Sequence, residues 1–271
     1  MAEAFLQISP EEQAEILQTC AGNLGRRAEH LEKDVWICWV LQGLFTMPSR
    51  LPMAFKGGTS LSKVYGAIKR FSEDVDVTVD YKSLDQSIDP FDPKVSRTAR
   101  DKYTELLKTK LAEHTKNVIR PHFENLVAQL TEKPPKPITI SDDGEKLFIP
   151  YPSCFGTTES RSEEHTSELQ SRHWHDLAVL ADHNIGKIAI PDRQLLQDVV
   201  KHKNVFFRAS YTNYEACLSG GLRLIPEAAL LRTLRIDYEK MIADGMFERE
   251  PPTFDWIITR LDKLAKEINA H

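Results

Sequence analysis

The chain has 271 residues, 41% of them hydrophobic and 28% charged, with a formal net charge of −5. That length supports one large domain or two modest ones with a real core. The charge excludes a uniformly basic nucleic-acid binder, although 35 Lys and Arg leave room for local basic patches.

The four cysteines, Cys20, Cys38, Cys154 and Cys217, show no C-x-x-C spacing, which argues against a zinc or redox motif. No signal peptide is visible, and the apolar run Val35–Phe45 is too short to span a bilayer, so a reduced cytoplasmic protein without a membrane segment is expected. Ser9-Pro10-Glu11-Glu12 predicts a helix start, with a Ser N-cap, Pro at the first helical position and acids in the first turn. Gly22 and Gly25 are expected to interrupt that helix. Glu32 to Phe45 reads as a second helix with a wide apolar face of Val35, Trp36, Trp39, Val40, Gly43 and Leu44, and with Cys38 in the core. Its opening Glu32-Lys33-Asp34 reads either as a solvated first turn or as part of a site. Pro48 and Pro52 end the helix and deliver the chain to a strand at Ala54–Lys56.

The most informative stretch follows, from Phe55 to Asp80. It opens with Gly57, Gly58, Thr59 and Ser60, continues through an apolar-periodic run (Leu61, Val64, Tyr65, Ile68) and ends on Asp74-Val75-Asp76-Val77-Thr78-Val79. The last run alternates with period two, as a half-buried strand does, so its two carboxylates share a face. Parallel aspartates repel unless they share a divalent cation. Glycine lets backbone approach a ligand closely and leaves N–H donors uncovered, and a helix beginning near Ser60 would turn its positive end to the same ligand. Backbone donors beside a carboxylate-held Mg²⁺ are what a nucleoside triphosphate (NTP) needs. The spacing is not that of a Walker A loop. Each piece alone also describes an ordinary turn or a solvated strand face; their order and closeness point to a site. Asp80 reads as a third carboxylate of that face or as solvation at the strand end.

Lys82 to Lys94 reads as a loop. Arg97 to Leu130 is the longest helical stretch, with Ile119, Phe123, Leu126 and Leu130 in register, and Pro121 predicts a break or kink that divides it into two helices. Its cations, among them Arg97, Arg100, Lys102, Lys108, Lys110 and Lys116, either face an RNA backbone or form a mixed-charge solvated surface. Ile138–Ile140 and Leu147–Ile149 flank Asp143-Gly144, a hairpin signal expected to add two strands to the sheet. Leu177–His183, Asp192–Lys203 and Ala228–Ala243 are predicted helices. A last one, capped by Pro251-Pro252-Thr253, carries Ile257, Leu261, Leu264 and Ile268 on one face. His173 and His175 stand two apart on a helix and face different ways, which argues against a zinc site with His183.

Two motifs, Lys56–Lys63 (KGGTSLSK) and Arg70–Asp76 (RFSEDVD), resemble the nucleotidyltransferase core of the AbiEii/AbiGii toxin family, found in type IV toxin–antitoxin pairs and abortive-infection loci. The likeness runs from about Glu32 to the C-terminus. A third motif, Arg172 to Leu177, matches the family's second acidic motif at Asp176. The resemblance implies an α/β (α+β) class: a nucleotidyltransferase-like small mixed sheet flanked by helices, with a mainly helical C-terminal part. It divides the chain into a core at 1–152, an anomalous polar segment at 153–171 and a helical domain at 172–271. Carried over residue by residue, it implies that Gly57, Gly58, Thr59 and Ser60 cradle the NTP. Asp74 and Asp76 hold Mg²⁺, Lys63 and Arg70 offset phosphate charge, and Asp176 helps organise the catalytic centre. Ser72 matches a hydroxyl that accepts phosphate during inhibition in some relatives, and otherwise is a strand-entry hydroxyl. The implied partners are an RNA acceptor, the tRNA 3′ end above all, and a cognate antitoxin.

Gly156 to Ser171 breaks the pattern. It is polar, without an apolar period, and reads physically as a disordered surface loop. Within it, Arg161–Ser171 (RSEEHTSELQS) resembles the translation of a common short-read sequencing adapter. Relatives carry here a strand and a helix with a Glu-Lys pair, whose lysine has no counterpart in this chain. Three readings therefore stand: an active transferase toxin, an NTP-binding pseudoenzyme, and a non-enzymatic module that binds an antitoxin.

Overall fold

The computed structural model describes residues 2–130, 136–156 and 171–270. Contacts divide them into two units. One holds the described residues within Met1–Ser60, Phe71–Asp89 and Ser96–His165, and the other those within Leu61–Arg70, Pro90–Val95 and Thr166–His271.

The first unit begins with α1 (Ala2–Leu6) and α2 (Pro10–Leu24). The Ser9 hydroxyl accepts from the Glu12 N–H at 3.2 Å, the Ser N-cap the sequence predicts, and the Glu12 carboxylate accepts from the Ser9 N–H at 3.1 Å, which completes a capping box. Gly25, at φ +64°, closes α2, whereas Gly22 lies inside it, so only the second glycine interrupts. In α3 (Ala28–Thr46), which starts a turn before Glu32, Trp36, Trp39, Gly43 and Leu44 are buried. Cys38 is exposed, against expectation. It stands two positions from Trp36, about 200° round the helix, and so points away from the tryptophan stripe.

Strand β1 (Met53–Lys56) runs directly into α4 (Gly57–Lys63), and β2 (Asp76–Val79) returns antiparallel to β1. The apolar-periodic run does not continue as a helix: α4 stops at Lys63, and Val64 and Tyr65 are exposed. After α5 (Tyr81–Leu84), the long helical stretch is α6 (Arg97–His114), a π-helical turn (Thr115–Ile119) and α7 (Arg120–Leu130). The stretch is thus divided into two α-helices, as expected, but by a π-helical turn just before Pro121 and not by a gap. The proline has no N–H to offer and its ring would strike the carbonyl one turn back; the wider turn just before it accommodates both. Strands β3 (Thr139–Ile140) and β4 (Leu147–Phe148) form the expected hairpin, with Gly144 at φ +73° in the turn. They make a separate two-stranded sheet and do not extend β1–β2. Trp36, Trp39, Leu44, Ile119, Phe123 and Val127 form the core, and Met53 and Val77 from one face of β1–β2 pack on it. The other face of that sheet is left outward.

The second unit is helical: α8 (Ser171–Asp182), α9 (Asn184–Ala189), α10 (Arg193–Phe206), a 3₁₀ turn (Tyr214–Ser219), α11 (Ala228–Ala243) and α12 (Phe254–Asn269). Thr253 caps α12, its hydroxyl accepting from the Trp256 N–H at 3.2 Å, as predicted. Ile257, Leu261 and Leu264 pack with Leu234, Tyr238 and Ala178. The protein is thus of mixed α and β class, with small sheets, flanking helices and a helical C-terminal part. Among the described residues, no helix is long and apolar enough to cross a membrane.

Candidate active site

The outward face of β1–β2 carries the acidic motif. From Asp74 to Asp80 exposure alternates strictly, with Asp74, Asp76, Thr78 and Asp80 exposed and Val75, Val77 and Val79 half-buried. Asp74 precedes β2 proper and Asp76 opens it, and the alternation puts both carboxylates on one exposed face. Asp80 caps α5, accepting from the Lys82 N–H at 3.1 Å.

The glycine pair is the first turn of α4, three residues ahead of the expected start at Ser60. Gly57 has φ +75°, and a Cβ there would stand 2.0 Å from Asp76 Oδ2 and 2.8 Å from its Cγ. The Asp76 carboxylate thus lies against bare backbone at Gly57, the close approach that only glycine permits. Thr59 and Ser60 are buried. The Thr59 hydroxyl donates to the Asp74 carbonyl at 2.5 Å and lies 3.4 Å from the Ser72 carbonyl. The threonine therefore ties α4 to the segment that carries Ser72 and Asp74. Lys63 is exposed in the last turn of α4.

Arg70 and Asp176 meet in the second unit. Arg70 Nε donates to Asp176 Oδ1 at 2.7 Å and Nη2 to Oδ2 at 2.5 Å, a bidentate pair with Arg70 only 2% exposed. His175 Nδ1 lies 3.0 Å from Asp176 Oδ1, and its ring rests 5.0 Å from that of Phe247. Burial pushes the Asp176 carboxyl up; hydrogen bonds from Arg70 and His175, with the Arg70 charge, outweigh it and hold the group below the usual carboxylate range. The same backbone is pinned where Arg70 bridges Phe247 and the Glu248 N–H donates to the Lys69 carbonyl at 3.1 Å. Of the other histidines singled out above, His173 is exposed and His183 caps α9 through its ring nitrogen.

Two sets of residues escaped the sequence reading. The strand register places Lys56 opposite Asp76, on the same outward face. The opening of α3 is not a solvated turn: Glu32 is 3% exposed and accepts from the Ser153 hydroxyl at 2.8 Å and the Cys154 N–H at 2.6 Å. Lys33 forms an ion pair with Glu73, and His30 stacks on Phe71 at 4.4 Å. Three side chains of one helix thus hold the approach to Asp74 and the segment after β4. Burial, then the Glu32 hydrogen bond and charge, push the Cys154 thiol up to about 12. Burial with the charges of Glu32 and Glu73 also raises the Tyr151 phenol. The alternation signal for Lys56 was present in the sequence; the Glu32 contacts, 121 residues apart, left none.

An outward pair of carboxylates thus stands beside a glycine turn, with the Lys56 cation across the strand pair. A model of the nucleotidyl transferase AbiEii toxin family, a type IV toxin–antitoxin system, matches residues 39–167 and 159–260. The chain belongs to that family. No curated protein and no solved structure matches it.

Proposed function

We propose that this protein is a Mg²⁺-dependent nucleotidyltransferase toxin that moves a nucleotide from an NTP to an RNA acceptor, the tRNA 3′ end, and that a cognate antitoxin restrains it in the cytoplasm. The observation that carries this reading is the Asp76 carboxylate lying against the bare backbone of Gly57, on the exposed face it shares with Asp74. Two carboxylate oxygens are hard donors suited to Mg²⁺, which takes only one or two from protein and the rest from phosphate and water.

In this reading Asp74 and Asp76 hold Mg²⁺, which when bound activates the acceptor hydroxyl and offsets charge on the leaving pyrophosphate. The acceptor oxygen forms a bond to the α-phosphorus as the bond to pyrophosphate breaks. The Gly57 and Gly58 backbone receives the triphosphate, and Lys56 and Lys63 offset its charge. Thr59, through the Asp74 carbonyl, and Lys33, through Glu73, fix the acidic segment. A phosphate added to the Ser72 hydroxyl, two residues before Asp74, would add negative charge to the acidic segment and repel the NTP. Arg70 spends its guanidinium on Asp176, so both act as positioning residues within the second unit. Binding is tested by isothermal titration with each NTP. Binding that needs Mg²⁺ and disappears in Asp74→Ala is expected, and equal binding without the metal would overturn the metal assignment. Binding without turnover would identify an NTP-binding pseudoenzyme.

We also infer that Arg161–Ser171 is foreign to the gene. The two family matches overlap at 159–167, across the start of the adapter-like run. Resequencing the source DNA across the codons for Ser153 to Arg172 is expected to replace the run by a strand and a helix bearing a Glu-Lys pair. Recovery of the same codons would contradict it.

A further inference from the structure

The end of α10 concentrates features that nothing above has used. Between Asp198 and Glu215 the chain has no carboxylate, yet it carries Lys201, His202, Lys203 and Arg208 in a protein of net charge −5. The same stretch supplies exposed aromatic surface, with Phe207 at 52% and Tyr211 at 89%. The rings and cations are layered. Lys203 Nζ stands 4.1 Å from the Phe207 ring centre, and Lys201 Nζ 5.2 Å from that of Phe91. The His202 ring lies 4.9 Å from Phe206 and 5.9 Å from Phe207.

Lysines in the last turn of a helix are ordinary, since they complement its dipole. That accounts for Lys203 and leaves the exposed ring surface of Phe207 and Tyr211 unexplained. An apolar protein partner would use the rings but would have to desolvate the cations around them. A duplex would use the cations and offer few base faces to the rings. A single strand uses both, because its phosphates meet the lysines and its unstacked bases lie on the rings. The cations of α6 serve less well: Arg97, Lys108 and Lys110 are already paired with Asp101, Glu105 and Asp85.

We propose that the end of α10 and the loop after it, through Lys201, Lys203, Phe207 and Tyr211, form a docking surface for single-stranded RNA. The surface stands on its own geometry; the choice of RNA over single-stranded DNA rests on the acceptor reading above. The test measures fluorescence anisotropy of a labelled mixed-sequence RNA ten-mer against the whole chain at several salt concentrations. Two double variants, Lys201→Gln/Lys203→Gln and Phe207→Leu/Tyr211→Leu, are compared with wild type at matched thermal stability. The leucine pair keeps apolar bulk and removes the stacking faces. Each is expected to weaken RNA binding about tenfold or more, and the glutamine pair to reduce the salt slope by roughly 1.4. NTP binding should stay unchanged in both, which separates failure of this surface from failure of the site. Unchanged RNA affinity in both variants, or no RNA binding by wild type, would overturn the proposal. So would tighter binding to poly-glutamate, which would mark an acidic protein partner, or to a matched RNA duplex. A DNA ten-mer bound more tightly than RNA would overturn the choice of RNA.

Discussion

Arg70→Met is expected to destabilise the protein by about 3–5 kcal/mol at neutral pH, because it strands the Asp176 carboxylate in a buried site. Asp176 is 6% exposed, and its oxygens receive Nε and Nη2 of Arg70 at 2.7 and 2.5 Å. Methionine fills similar volume, so the loss reflects the unpaired charge more than a cavity. The sign of the pH dependence follows. In wild type the carboxyl is held below its usual range, so the pair's stability is present above the usual carboxylate pKa and disappears as pH falls through the lower folded value. In Arg70→Met only burial and His175 remain, and burial raises the pKa, so acid neutralises the stranded group. The gap between variant and wild type should therefore narrow as pH drops from 7 to about 4. Arg70→Met/Asp176→Leu, which removes both charges, should recover most of the loss. Denaturant unfolding across that range checks all three. A gap that stays constant with pH would deny that the buried charge is its source.

Gly57→Ala is expected to damage both stability and metal use, and its two causes can be separated. Gly57 and Gly25 both have positive φ, +75° and +64°. A Cβ at Gly25 meets nothing within 4 Å, whereas at Gly57 it would stand 2.0 Å from the Asp76 carboxylate. Gly25→Ala therefore reports backbone strain alone, about 1 kcal/mol or slightly more. Gly57→Ala adds displacement of Asp76, for a total of about 2–4 kcal/mol. Only Gly57→Ala should raise the Mg²⁺ concentration required for NTP binding. If it unfolds no more readily than Gly25→Ala and binds NTP at the same Mg²⁺ concentration, the close contact has no functional weight.

These contrasts separate what could be read along the chain from what could not. Local rules were reliable where the chain answers to itself. The Ser9 N-cap, the Thr253 cap, the Asp143-Gly144 turn and the alternation through Asp74 and Asp76 all stand in the structure. Local rules failed where a neighbour decides. The first turn of α4 begins at Gly57 because the positive φ there turns β1 straight into the helix. Pro121 divides the long stretch into two α-helices as expected, yet the division is a π-helical turn, which no local pattern distinguishes from a break. Cys38 looks like core in composition and faces outward by helical phase. The Arg70–Asp176 pair joins residues 106 apart. Nothing local marks such a pair, although both residues stood in recognisable motifs.

The outward aspartate pair as the seat of metal-dependent transfer is tested most directly by incubating the purified chain with each α-labelled NTP, Mg²⁺ and unfractionated tRNA. Label on the tRNA is expected that requires Mg²⁺ and falls at least about 10²-fold in Asp74→Asn of unchanged fold. Equal labelling by the variant and wild type, or label that appears without the metal, would contradict it.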